Sequence, residues 1–282
     1  MTFTFSDESS VCVTMEGYTH DLLSHVGVKG KASTPAGAEL FQIDPTSPEL
    51  SSAEREEFHS VTAKLLYLSK RTRPELLPLV AFLTSRVQRA TVQDQAKLDR
   101  GLKYLNSEPE IGLVFRDEGD IQVFGHTDAS FAVHPEAQSH TGSTITMGGG
   151  SLFAKSTRQK IVTKSSTESE LVGLSDSVPQ IIWTRDFLTA QGYPVRAATV
   201  YQDNKSTICL AEKGRSTSER TRHINIRYFF IKDRIASGEV KVEYLPTERM
   251  VADILTKPLQ GELFRRLRDA LLTGADPAPS ST

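Results

Sequence analysis

Cysteine is nearly absent from the sequence: Cys12 and Cys209 stand alone, with no second Cys or His at zinc-ligand spacing. That excludes a disulfide framework and a zinc module, and it fits a reducing compartment. Aromatic residues make up 7% of the chain, with one tryptophan, Trp183, on a helix near an apolar stripe, where core packing is its expected role. Neither sign of charge dominates: the formal net charge of the 282 residues is −2, so attraction to a polyanion has to come from local patches. No apolar run approaches the roughly 20 residues of a membrane helix. The N-terminus lacks a basic stretch followed by a hydrophobic core. The expectation is a chain with no membrane partner that is not secreted and is intracellular and cytoplasmic, a virus-like particle or the nucleus being the other compartments. Hydrophobic content of 38% and charged content of 24% suffice for a buried core.

What is present falls into four stretches. Residues 1–50 mix short apolar alternations (Phe3, Phe5, Val11, Val13) and a helical patch from Tyr18 to Val26 with a segment rich in Pro, Gly, Ser and Thr. They read as a remnant and loop with little core of its own. Residues 51–118 carry three amphipathic patterns, with Phe58, Val61, Leu65 and Leu68 on the first, Leu76, Leu79, Val80, Leu83 and Val87 on the second, and Leu98, Leu102 and Leu105 on the third. These predict a small helical region. Residues 119–273 alternate strands and helices. Leu113–Phe115 and Ile121–Thr127 read as strands around a polar turn, and Gly148–Gly150 reads as a hairpin turn. Pro179 is expected to kink or split a long helix. Residues 274–282 are rich in Pro and Ser and are expected to be disordered.

The stretch Lys164-Ser-Ser-Thr-Glu-Ser-Glu-Leu171 opens that long helix, whose stripe is Leu171, Leu174, Val178, Ile181 and Ile182. Thr167 and Glu170 have capping-box spacing, and acids suit the positive end of a helix, so a cap is the plain reading of this motif alone. Other acids keep it company: Asp128 at the end of a strand, Asp203 at a strand-to-helix junction, and Asp253 at the start of the last helical region. Singly, these read as a turn, a helix cap with Asn204, and a surface acid. Crowded together, four carboxylates would repel one another unless cations neutralised them, and hard oxygen donors select magnesium or manganese over zinc. Two local basic patches stand nearby. One holds Lys155, Arg158, Lys160 and Lys164, and the other runs from Lys213 to Arg234 with Arg220, Arg222 and Arg227 around His223. Each reads either as a phosphate-binding surface or as a solvated face.

Five motifs in order, His126-Thr-Asp-Ala-Ser130, Lys164 to Glu170, Gln202-Asp-Asn-Lys-Ser206, Arg220 to Tyr228 and Ala252-Asp-Ile-Leu-Thr-Lys-Pro-Leu259, resemble the ribonuclease H domain of copia-type retrotransposon polyproteins. Upstream, Tyr67 to Pro74 and Leu102 to Phe115 resemble the thumb and connection region of the reverse transcriptase, and the likeness covers nearly the whole chain. A Tyr-x-Asp-Asp polymerase motif is absent from the sequence. The resemblance implies an α/β, ribonuclease H-like domain with a mixed five-stranded sheet, preceded by a helical connection region and lacking polymerase activity. It implies a two-metal endonuclease that hydrolyses the RNA strand of an RNA–DNA hybrid, leaving a 3′-hydroxyl and a 5′-phosphate.

In that pattern Asp128 bridges two magnesium ions (or manganese), with Glu170 and Asp203 completing one site and Asp253 the other. The acid before the apolar residue is favoured, which selects Glu170 over Glu168. Lys155, Arg158, Lys160, Lys164, Asn204, Arg220, Arg222, His223 and Arg227 are the candidate nucleic-acid contacts, His223 being equally readable as structural. The loop before the last acid, Pro246-Thr-Glu-Arg249, has no histidine, which leaves a proton-shuttling role to Glu248. The polymerase part of the same or another polyprotein is the implied protein partner. Two other readings stay open: a catalytically inactive nucleic-acid-binding fragment of such a polyprotein, and an integrase-like strand transferase.

Overall fold

The computed structural model describes residues 1–6, 9–116, 119, 121–213 and 222–277, with the backbone alone for 222–225. The first strands, β1 (Thr2–Ser6) and β2 (Ser10–Thr14), form an antiparallel hairpin, and β2 pairs in turn with β3 (Leu113–Arg116). β3 therefore does not form a hairpin with the strand that follows it, as the polar turn after it suggests. Its apolar Leu113 lies opposite Val13, and both are buried.

Between β2 and β3 lie α1 (Glu16–Val26), α2 (Ser52–Ser69), α3 (Leu77–Thr84) and α4 (Val92–Ser107). The sequence sets their starts. Ser51 and Glu54 form a reciprocal capping box at α2, and Thr91 and Asp94 form another at α4. Val87 falls past the end of α3, in a separate 3-10 turn. The loop between α1 and α2 is more than a connection. Leu40, Phe41 and Leu50 are buried in the same core as Phe58, Leu65, Leu83 and Leu98. Its Pro and Gly residues set the path, while its few large apolar residues supply the core contact that composition alone did not reveal.

The second half forms a five-stranded sheet from β4 (Phe124–Ser130), β5 (His140–Thr146), β6 (Phe153–Arg158), β7 (Ala198–Gln202) and β8 (Val240–Tyr244). The order is β6-β5-β4-β7-β8; the first three strands are antiparallel and the last two run parallel to β4. This is the mixed five-stranded α/β sheet that the sequence resemblance implied. α5 (Ser166–Ala190) covers one face, and α6 (Lys205–Lys213) and α7 (Arg222–Ala236) lie beside it. Leu171, Leu174, Val178 and Ile181 of α5 are buried with Val200, Tyr228 and Ile231. Gly125 on β4 permits the close approach, since a Cβ there would lie 2.4 Å from Ile181 Cδ1.

α5 runs through Pro179 unbroken, held on the sheet by Val178 before it and Ile181 after it. Trp183 is not in the core. It lies about 200° around the helix from Ile181, is 60% exposed and stacks on Phe187.

The other face of the sheet receives the chain's last segment, a 3-10 turn over Val251–Leu255 followed by α8 (Gly261–Thr273). Its apolar residues Ile254, Leu255, Phe264, Leu267 and Leu271 are buried with the helices of the first half. The two halves therefore share a core. Among the described residues no helix is long and apolar enough to cross a membrane.

Candidate active site

The parallel strands β4 and β7 end side by side, and open α/β sheets present their sites beyond such carboxyl ends. Asp128 is near the end of β4 and is 2% exposed; Asp203 is the first residue after β7. Glu170 comes from the first turns of α5. One carboxylate oxygen from each of the three lies within 4.8 Å of the others.

Which of the two glutamates faces the sheet is settled by the cap. Ser165, not Thr167, is the N-cap: its Oγ accepts from the Glu168 N–H at 3.2 Å, and Glu168 Oε2 accepts from the Lys164 N–H at 2.7 Å. The capping work thus falls to Glu168 and leaves Glu170 free. Gln202 Nε2 donates to Glu170 Oε2 at 3.3 Å. Burial, then the charges of Asp128 and Asp203, raise the Glu170 carboxyl well above the ordinary range, against the pull of hydrogen bonds from Ala129 and Gln202.

Asp253 reaches the cluster from the opposite side of the sheet, on the 3-10 turn, and is 4% exposed. Burial first and Asp128 second push its carboxyl up to about 7, while Lys257 works the other way. Burial would lower the Lys257 ammonium, but Asp128 and Asp253 outweigh that and raise it. Lys257 Nζ lies 2.7 Å from Asp253 Oδ1 and 3.4 Å from Asp128 Oδ2. Thr256 Oγ1 donates to Asp128 Oδ2, and Thr247 Oγ1 donates to Asp203 Oδ2 at 2.8 Å.

Sequence reasoning passed over these partners. Lys257 had a signal, its i,i+4 spacing from Asp253. So did Gln202, a polar residue closing an apolar strand. Thr247 and Thr256 had none.

The donor set is oxygen alone, with neither His nor Cys among the three clustered acids. It fits a hard divalent cation such as magnesium or manganese. Asp128, Glu170 and Asp203 would hold it, and Asp253 stands beside Asp128 outside that trio.

The proposed nucleic-acid contacts are divided. Arg158 on β6 and Lys160 and Lys164 in the following loop are exposed, and Lys155 is half-buried. Asn204 serves as a helix cap, its Oδ1 accepting from the Thr207 N–H at 3.0 Å. Arg227 forms an ion pair with Asp176 of α5. Arg220 lies outside the described residues, as do the side chains of Arg222 and His223. Glu248 is exposed in a 3-10 turn over Thr247–Arg249.

No family model matches the chain. Curated relatives do. The chain is 27% identical over 264 residues to the retrovirus-related Pol polyprotein from transposon TNT 1-94 of Nicotiana tabacum, a match covering 91% of this chain and 20% of that protein. It is 29% identical over 211 residues to the Pol polyprotein from transposon RE1 of Arabidopsis thaliana, covering 74% and 14%. It is 23% identical over 247 residues to the transposon Ty1-H Gag-Pol polyprotein of Saccharomyces cerevisiae, covering 85% and 14%. The chain thus spans a fifth or less of these relatives' length.

Among solved structures, LC11-RNase H1, isolated from compost by a metagenomic approach, is similar with 19% identity and a TM-score of 0.37, covering 48% of this chain and 91% of that one. A foamy viral protease-reverse transcriptase in complex with RNA/DNA hybrid is similar with 12% identity and a TM-score of 0.41, covering 70% and 27%. Over most of its own length, the chain is similar to the Pol polyproteins of retrovirus-related transposons.

Proposed function

We propose that the chain is a divalent-metal-dependent endonuclease, a ribonuclease H that hydrolyses the RNA strand of RNA–DNA hybrids as part of a retrotransposon Pol polyprotein. The observation that carries this reading is the convergence of Asp128, Glu170 and Asp203 at the carboxyl ends of two parallel strands. The relatives agree with it, and the five-stranded sheet is the fold such nucleases use.

Magnesium or manganese ions bound there would supply an activated water and neutralise charge on the scissile phosphate. The chain's own residues fix the geometry. Thr256 fixes Asp128, Gln202 fixes Glu170 and Thr247 fixes Asp203. Asp203 is the least buried of the three, so the cluster opens to solvent on its side. Arg158, Lys160 and Lys164, with Lys155, offer positive charge to a backbone, and binding through them weakens as salt rises. Choice of RNA over DNA would rest on the 2′-hydroxyl and helix shape. The polymerase part of the same or another polyprotein is the partner implied, in an intracellular setting.

The test is cleavage of an end-labelled RNA–DNA hybrid with magnesium by the unmodified chain and by Asp203→Asn. Cleavage that falls by about 100-fold or more in the variant, the scale of losing a positioned reacting group, supports the reading. Equal cleavage by both proteins refutes the site. Hybrid binding without cleavage by either selects the inactive binding fragment instead.

A further inference from the structure

Asp128 and Asp253 are almost wholly buried side by side, a repulsive arrangement for two carboxylates. The charge between them is neutralised from within the chain. Lys257 Nζ contacts both, and Thr256 donates to the same oxygen, Asp128 Oδ2, that Lys257 faces. Asp253, Thr256 and Lys257 all lie within five consecutive residues, so one short segment brings both the second acid and its cation to the end of β4. The exposure of the partners differs: the two acids are buried, whereas the Lys257 side chain is 37% exposed. Its ion pairs are with Asp128 and Asp253, and among the described residues none is with Glu170 or Asp203.

We propose that Lys257 is a resident counter-ion that occupies the place between Asp128 and Asp253, competes there with a divalent cation and swings out when one binds. The inference rests on the acids forming a metal centre, as proposed above. Ion binding is then stepwise. A cation held by Asp128, Glu170 and Asp203 leaves the lysine its closer pair with Asp253, while one using Asp253 has to displace the ammonium. The lysine has a second consequence, because it stabilises the metal-free protein by offsetting carboxylate repulsion.

The experiment is a Mn2+ titration of the full chain by calorimetry and electron paramagnetic resonance, with thermal melts in EDTA and in Mn2+. The proteins are the unmodified chain, Lys257→Met, Lys257→Arg and the double variant Lys257→Met/Asp253→Asn. In Lys257→Met the weaker Mn2+ site should tighten by at least about tenfold, the scale of a full charge removed from beside a carboxylate. Its melting temperature should fall in EDTA and rise more steeply with Mn2+ than in the unmodified chain. The double variant should lose the gain. Lys257→Arg, whose planar fork can grip two carboxylates, should weaken the second site, and it carries the test if Lys257→Met does not fold without metal.

Equal second-site affinity in the unmodified chain, Lys257→Met and Lys257→Arg overturns the counter-ion inference and leaves the metal centre standing. Absence of Mn2+ binding in every protein overturns the metal centre and the inference together.

Discussion

At the scale of single residues, Gln202 shows how an uncharged side chain sets the position of a charged one. Fully buried, it accepts from the Asn204 N–H at 2.9 Å, and its amide donates to Glu170 Oε2 at 3.3 Å and to Thr127 O at 3.5 Å. It thus ties the turn carrying Asp203 to α5 and to β4. Gln202→Leu keeps the bulk and removes every polar atom, leaving a part-buried N–H and a buried carboxylate without this partner. The expected cost is about 1–3 kcal/mol of stability, read by urea unfolding. Single-turnover cleavage of hybrid should fall by about 10-fold or more through misplacement of Glu170; an unchanged rate would mean that Glu170 is positioned by other contacts. The acids were picked out by the order of the five motifs and not singly, since each alone reads as a turn, a cap or a surface acid. Their partners were not, because a buried Gln or Thr has the same letter whether it faces a carboxylate or a carbonyl. The exposure of Trp183 was missed for a related reason: nearness to a stripe in sequence is not nearness around a helix.

At the scale of elements, the site depends on a short turn seated tightly on a strand. Gly142 of β5 lies opposite Asp128 in register, and a Cβ at that position would come within 2.7 Å of Leu255 Cβ and Thr256 Cγ2 and 2.9 Å of Ala252 O. The missing side chain is what lets the 3-10 turn bearing Asp253 reach the end of β4. Gly142→Ala should therefore lift that turn, costing about 1–3 kcal/mol through overpacking. Faster amide exchange should appear over residues 251–257 while the β4–β7 pairing stays protected; uniform protection would show that the turn absorbs the methyl without moving. Periodicity revealed the strands and helices of this half well, including α5 and the alternating β8. Partner choice was less legible. β3 and β4 are neighbours in sequence with a polar stretch between them, yet β3 joins β2, because pairing depends on which apolar face finds burial and not on proximity. Pro179 does not split its helix: α5 spans Ser166–Ala190 with buried Val178 and Ile181 on either side of the proline.

At the scale of the whole molecule, the helical first half and the sheet are bound together through the very segment that delivers Asp253. Ile254, Leu255, Phe264, Leu267 and Leu271 are all buried in the core built by α1 to α4 and the loop before α2. Polar contacts reinforce the joint: Gln260 Nε2 donates to Ala36 O at 2.8 Å, Thr34 Oγ1 to Gln260 Oε1 at 2.9 Å, and the Arg116 guanidinium to Thr273 O at 2.6 Å. A division at residues 118 and 119, natural from the change of period, would cut through this shared core. Fully burying one large apolar side chain contributes about 1.5–3 kcal/mol, so the five together are worth roughly 7–15 kcal/mol as an upper estimate. That equals the whole net stability of an ordinary domain, about 5–15 kcal/mol. A fragment of residues 121–277 should accordingly lack a cooperative melt and expose apolar surface to a hydrophobic dye. Its Asp253 turn should exchange amide protons freely, even with the sheet partly formed. Supplying residues 1–116 in trans should restore the melt and protect the turn, because the missing half of the core is then present. A fragment that melts sharply by itself, with residues 251–271 protected, would show that the sheet alone holds the last segment and that the first half is an attachment. The predicted dependence means that the fourth acid is placed by packing from helices that carry none of the chemistry.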